Sequence, residues 1–364
     1  MEQVKVKWCE VIILSMTGEL ICGDEEGQLE GEIEDLLAGK YVVLAGHPES
    51  FETQRGQYIL NELSRLGLIV MIIIDEVHVN LHWNFRPTMQ VTCRSLRAFA
   101  TPDSPLLLMT ATMRVGDMRR VARSLDVRSS PVVIHSSPVH EHMKLSVVTR
   151  PSNAYGFDGL TKGSKPGLLQ LLHRVYFKHF FDDVAAGRRP KKVIIFFRGF
   201  PKMLECYKYL VKTCGQGTAD VANFVMVHAD LSAVTEKVIV ERLNEYSVIL
   251  ATARLLLGVN IENVDMVIFV QPFGEVEALV QGGGRGGRKR CDGLRNTVQV
   301  YQLVNGEDMK LTMSNEMRRL LTERKGVCTR DYLKKYFAGV QEEVQEGRRI
   351  NCCQFHDDIV YSTE

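Results

Sequence analysis

Short runs rich in valine, isoleucine and leucine recur along the chain between longer amphipathic stretches, and they constrain its architecture more than any other feature. They fall at Tyr41–Leu44, Leu68–Ile74, Leu106–Met109, Val132–Ile134, Val193–Phe197, Phe224–Val227, Val248–Ala251, Met266–Val270 and Val298–Val304. Strands buried on both faces read as such runs, because helices cover the sheet on either side. Their alternation with helix-length segments predicts an α/β fold with parallel, doubly wound sheets. Between the fourth and fifth runs, Arg150–Gly167 is dense in Gly, Pro, Ser and Asn and reads as a loop or linker. It divides the strands into two groups, so two α/β domains are expected, at 1–140 and 141–305. After Val304 the strand signals stop. Residues 306–364, charged and helix-prone from Met309 to Phe337, are expected to form a small helical C-terminal region.

At 364 residues the chain is longer than a single core supports, since such cores rarely grow beyond roughly 250–300 residues. Lys+Arg 45 against Asp+Glu 44 leaves a net charge of +1. No global field draws the chain to a polyanion or a membrane, and nucleic-acid binding has to come from local patches. The nine cysteines are an odd number, scattered, and follow no secretory signal, which argues for a reducing compartment. The longest apolar run, Leu66–Ile74, has nine residues and is too short to span a bilayer. A soluble protein of the nucleus, or of the cytoplasm if prokaryotic, is expected.

The densest chemistry lies in "IIIDEVHVNLHW", Ile72–Trp83, where an apolar run ends in two carboxylates followed by two histidines. In parallel α/β sheets, ligands bind beyond the carboxyl ends of the strands. Asp75 there could hold Mg²⁺ through water, and Glu76 could orient or deprotonate an attacking water. On this segment alone, a strand ending in charged surface residues is the commoner explanation. His78 and His82 stand at i, i+4, but a zinc-protease helix needs Glu directly after the first His, and that position is Val79.

Seven further segments give this one a context. "HPES" (His47–Ser50), "DEVH" (Asp75–His78), "VNLHWNFRP" (Val79–Pro87) and "LLLMTAT" (Leu106–Thr112) lie in the first half. "VIIFFRG" (Val193–Gly199), "VHADLS" (Val227–Ser232), "ILATARLLLGVNIENVD" (Ile249–Asp265) and "QGGGRGGR" (Gln281–Arg288) lie in the second. In this order they resemble the motifs of superfamily 2 helicases, and within them of the RecQ family of DNA helicases. Leu256 stands where that family usually has glycine. The resemblance implies two RecA-like domains of the P-loop NTPase type, with ATP and Mg²⁺ as cofactors and single-stranded or forked DNA as partner. It also implies a place in DNA repair and recombination.

Residue by residue, the resemblance assigns Asp75 to Mg²⁺, Glu76 to water and His78 to a link between the domains. Gln281 would sense the γ-phosphate, while Arg285 and Arg288 would reach the cleft as arginine fingers, a device worth ~10³–10⁵ in rate. The intervening glycines would let the backbone lie close to the opposite domain. Thr110 and Thr112 would couple nucleotide to nucleic acid, and Thr252 would contact the phosphodiester backbone; a buried strand-end threonine is the alternative for each. Trp83, Phe85 and Arg86 form an aromatic and basic cluster suited to stacking on unpaired bases; a Trp packed under a loop fits the cluster equally well. "GGGRGG" also satisfies a dinucleotide-binding count, but the segment before it reads as helix rather than strand.

One expected part is missing from the sequence. No Gly-x-x-x-x-Gly-Lys-[Ser/Thr] loop occurs anywhere in the 364 residues; the only Gly-Lys pair, Gly39-Lys40, is followed by Tyr41. Set against the family, the chain begins after that motif, so the first domain is expected to be incomplete, with an exposed sheet edge. Near the C-terminus, Cys328, Cys352, Cys353 and His356 approximate the ligand spacing of the RecQ zinc-binding region, with Ile350 at one ligand position. A structural Zn²⁺ site and a set of free thiols are both compatible with them. The expected activity is therefore ATP-dependent 3′–5′ DNA unwinding of RecQ type. A helicase-derived chain that binds nucleic acid or a partner without hydrolysing ATP is the alternative.

Overall fold

The computed structural model describes residues 13–16, 26–78, 87–101, 103–125, 127, 131–149, 168–214, 223–256, 259–287, 298–304, 306, 308–322 and 328–338. The chain divides into two compact units, Met1–His135 and Ser136–Glu364.

In the first unit, β1 (Ile13–Met16) pairs in parallel with β2 (Val43–Gly46), and β3 (Ile72–Ile74) pairs in parallel with β4 (Leu106–Leu108). Between and after them in the chain come helices α1 (Glu26–Leu37), α2 (Pro48–Phe51), α3 (Gln54–Arg65), α4 (Pro87–Phe99) and α5 (Val115–Ser124). The Thr53 hydroxyl caps α3 by accepting the Gly56 amide at 3.0 Å, satisfying one of the amides that a helix start leaves unpaired. A Cβ at Gly56 would run into the Ser50 carbonyl, so glycine lets α2 and α3 meet closely.

The β3–β4 sheet is buried on one face only. Ile72, Ile74 and Val77 enter a small core with Met113, Val121 and Leu125, whereas Ile73 is 53% and Leu107 43% exposed. A parallel sheet normally has both faces covered. Among the described residues, one face of this strand pair is left exposed.

The second unit carries a six-stranded parallel sheet in the order β5-β10-β9-β6-β8-β7. Its strands are β5 (Met143–Thr149), β6 (Lys192–Phe196), β7 (Phe224–Val227), β8 (Val248–Ala251), β9 (Val264–Phe269) and β10 (Val298–Val304). Strict alternation sorts the central strands between two cores. Ile194, Phe196, Ile249, Ala251, Val267 and Phe269 face one; Val193, Ile195, Val248, Leu250, Ile268 and Val270 face the other. Against the second core pack α6 (Leu168–Leu172), a π-helical turn (His173–Phe177), α7 (Lys178–Ala185) and α8 (Phe200–Cys214). Against the first lie α9 (Ala233–Glu241), α10 (Val276–Gly283), α11 (Asn315–Thr322) and α12 (Thr329–Ala338). Met317, Leu320, Leu321, Leu333 and Phe337 of the last two helices are members of that core, not an outlying layer.

One strand expectation fails, and one strand was not expected. Val132–Ile134 is not a strand: Val132 is 92% and Ile134 95% exposed, at the division between the units. The nearby Pro131 and Pro138 cannot donate ladder hydrogen bonds, and among the described residues no partner strand meets the run. Instead β5, "MKLSVVT", pairs with β10 over seven residues.

Candidate functional site

Parallel pairing of β3 with β4 sets Ile74 opposite Leu108, so the segments leaving the two carboxyl ends run side by side. The ends are stitched by the Met109 amide donating to the Ile74 carbonyl at 2.8 Å and the Val77 amide donating to Met109 at 3.0 Å. This brings Asp75, Glu76, His78, Thr110 and Thr112 into one cluster. His78 is buried, its Nδ1 2.8 Å from the Thr110 hydroxyl and 3.2 Å from Glu76 Oε2. Both partners belong to the first unit, and these two contacts join the DEVH turn to the following motif. The Thr112 amide also lies 3.4 Å from the Thr110 hydroxyl, and Thr112 is buried.

Glu76 has φ 49°, in the left-handed region, at a cost on the order of 1–3 kcal/mol for a residue with a Cβ. The Asp75 carboxylate offsets part of it by accepting the Glu76 amide at 2.8 Å. The turn sends Asp75 into solvent and Glu76 back toward His78. Two adjacent carboxylates thus occupy different surroundings, which suits different tasks. Asp75, a hard oxygen donor facing solvent, fits a hydrated Mg²⁺.

In the second unit the carboxyl ends of β6, β8 and β9 deliver Arg198, Thr252 and Gln271 to one edge of the sheet. The Thr252 amide donates to Val227 at 3.1 Å, holding it beside the end of β7. His228, at that end, lies against Phe200 with ring centroids 4.8 Å apart. Phe200 and His228 form an aromatic platform that sequence reasoning did not single out, although both fall in or beside quoted motifs. The signal was an aromatic directly after "RG" and a histidine directly after a strand. Arg254 forks onto Glu236 at 2.8 and 3.0 Å, fixing the turn after Thr252 to α9.

Helix α10 carries Gln281 and leads into Arg285. Arg285 is only 5% exposed; its guanidinium donates to the Val259 carbonyl at 2.5 Å and to the Leu256 carbonyl. It is thereby pinned to the loop that follows Thr252. Gly282 and Gly283 lie close to their own sheet and its following loop: a Cβ at Gly282 would come 2.6 Å from Phe269 and 2.9 Å from Leu256, and one at Gly283 2.7 Å from Met143. Tight helix–sheet packing is their physical reason.

Trp83, Phe85, Arg86, Arg288, Cys352, Cys353 and His356 lie outside the described residues. Cys328 is buried at the start of α12. Among the described residues no group of three or more His, Cys, Asp or Glu could hold a metal ion, and no helix is long and apolar enough to cross a membrane.

Residues 1–121 match the DEAD/DEAH box helicase family, and residues 174–290 match the helicase conserved C-terminal domain. No curated protein sequence matches the chain. Among solved structures, it is similar to Mss116p bound to ssRNA and AMP-PNP, with TM-score 0.59 and 13% identity over 87% of this chain and 56% of that one. It is likewise similar to the Mycobacterium smegmatis helicase Lhr bound to ssDNA and AMP-PNP (TM-score 0.58, 19% identity, 86% of this chain and 36% of that). A third similar structure is the DUF1998 helicase MrfA bound to DNA (TM-score 0.58, 14% identity, 82% and 38%). The chain thus spans between about a third and just over half of these proteins, and the shared fold is two RecA-like α/β units with parallel sheets.

Proposed function

We propose that this chain, whose paired DEAD/DEAH box and helicase C-terminal domains indicate a superfamily 2 helicase, acts as a RecQ-type DNA helicase, coupling ATP hydrolysis to 3′–5′ unwinding of forked or single-strand-flanked DNA. The observation that carries this reading is the cluster at the ends of β3 and β4, where Asp75 faces solvent and Glu76, on a left-handed turn, is linked through His78 to Thr110. The eight ordered motifs support the RecQ assignment, and the nucleic-acid complexes of similar structures support the partner.

Bound Mg²⁺ would neutralise phosphate charge, and Asp75 is the residue to hold it. Glu76 has the reach and chemistry of a general base for water, while His78 keeps its carboxylate oriented. Thr252, with the Phe200–His228 platform beside it, offers a strand a polar contact and a stacking face. The residues present supply the metal side and the water side of a nucleotide site. They include no phosphate-cradling Gly-Lys-[Ser/Thr] loop, and this favours a second reading, a helicase-derived chain that binds single strands without turnover.

ATP hydrolysis with and without single-stranded DNA separates the two. The helicase reading requires stimulated hydrolysis that Glu76→Gln lowers by ~10²–10⁴. Salt-sensitive strand binding without hydrolysis establishes the second reading instead.

A further inference from the structure

We propose that Glu277 and Tyr336 are positioning residues, through whose hydrogen bond the C-terminal helical segment holds in place the helix that carries Gln281 and leads into Arg285. The functional weight of that helix rests on the helicase reading above; the contact itself does not.

Every residue of α10 is buried, Glu277 included at 3% exposure. A carboxylate taken out of water is costly unless it is paired. Its Oε1 accepts the Tyr336 hydroxyl at 2.7 Å, and its Oε2 has no hydrogen-bond partner among the described residues. Tyr336 sits in the last turn of α12 and packs edge-on against the buried Phe337, which sets the ring where its hydroxyl meets α10. Glu277 stands four residues before Gln281, on the same side of α10. Fixing the first fixes the azimuth of the second.

The same C-terminal segment also grips the approach to α10. Gln271 donates to the Asp308 carboxylate at 3.0 Å, the Ser314 amide donates to the Gly274 carbonyl at 2.8 Å, and Arg198 reaches the Thr312 carbonyl at 3.2 Å. Beyond its far end, Arg285 is pinned to the loop after Thr252. Helix α10 is therefore held before it, within it and after it. The polar hold within it includes one neutral donor on one buried carboxylate.

The test uses the full chain with Tyr336→Phe, which keeps the ring and removes the donor, and with Tyr336→Phe/Glu277→Met, which makes both partners apolar at similar volume. Deleting one partner strands a buried polar group, whereas replacing both can be nearly neutral. Two readouts are taken: amide exchange across residues 276–287 against β6 and β8, and the resolved guanidinium resonances of Arg285, assigned with Arg285→Lys. Tyr336→Phe is expected to raise exchange in 276–287 about tenfold, a ~1.4 kcal/mol opening, with β6 and β8 within about twofold, and to average the guanidinium resonances. The double variant is expected to restore both.

No change in Tyr336→Phe, equal acceleration in β6 and β8, or a double variant no better than the single one overturns the proposal. Neither readout needs ATP turnover or a bound strand. Failure of the helicase reading would appear in hydrolysis alone and leave this result standing.

Discussion

Arg285→Ala tests whether the guanidinium is a structural pin or a free finger. The side chain is buried and donates hydrogen bonds to the carbonyls of Leu256 and Val259. Each is assisted by the arginine charge and contributes ~1.5–3 kcal/mol, so losing both costs ~3–6 kcal/mol. With a urea m-value near ~3 kcal/mol/M, at the high end for a unit of this size, the midpoint of the second unit falls by ~1–2 M. Lysine keeps the charge but presents it as a point that meets one carbonyl, so Arg285→Lys should lose about half as much. Proteolysis across a urea series, quantified on peptides from residues 136–364, isolates the second unit. A midpoint within ~0.2 M of the parent for Arg285→Ala would refute the pin. Removal of an arginine finger strikes turnover instead.

Thr110→Val removes the hydroxyl that meets buried His78 at nearly constant volume; a loss of ~1–3 kcal/mol is expected, read as a lower unfolding midpoint of the first unit. Phe200→Ala should weaken single-strand binding by ~1–3 kcal/mol, about five- to 150-fold, if the ring beside His228 stacks on a base; a fluorescence-anisotropy titration that matches the parent rejects that surface. On β3, exposed Ile73→Thr should change stability by no more than ~0.5 kcal/mol, whereas buried Ile74→Ala should cost ~2–5 kcal/mol, and paired thermal melts decide it. Gly282→Ala forces a methyl toward Phe269 and should destabilise the second unit by ~1–3 kcal/mol, seen in the same urea series.

How much of this was legible in the sequence depended on where each segment lies in the sheet. The central strands β6 and β8 are wholly enclosed, as is β9 over Val267–Phe269, and their continuous apolar runs marked them plainly. β5 is an edge strand, and Lys144 and Ser146 alternate with buried Met143, Leu145 and Val147, so no run advertised it. Val132–Ile134 shows the converse: apolar composition without a pairing partner does not make a strand. At the site, the DEVH turn and Thr110 meet because parallel neighbours put strand ends side by side. The partners of Arg285 and Glu277 were not legible. They are set by how α10 rolls against the sheet and against α12, which no local pattern encodes.

The glycine run and the departure at Leu256 have one explanation in the packing. Leu256 is buried where the RecQ-like pattern has glycine, and its Cδ2 would stand 2.9 Å from a Cβ at Gly282. A leucine in the loop fills space that a side chain on the helix would otherwise take, so glycine at 282 lets α10 stay close. That closeness brings the turn after α10 within reach of the loop, where the carbonyls of Leu256 and Val259 receive Arg285. The larger loop residue, the absent side chain on the helix and the buried arginine are thus parts of one arrangement. The loop they fix begins at Thr252, on the edge of the sheet that also presents Phe200 and His228.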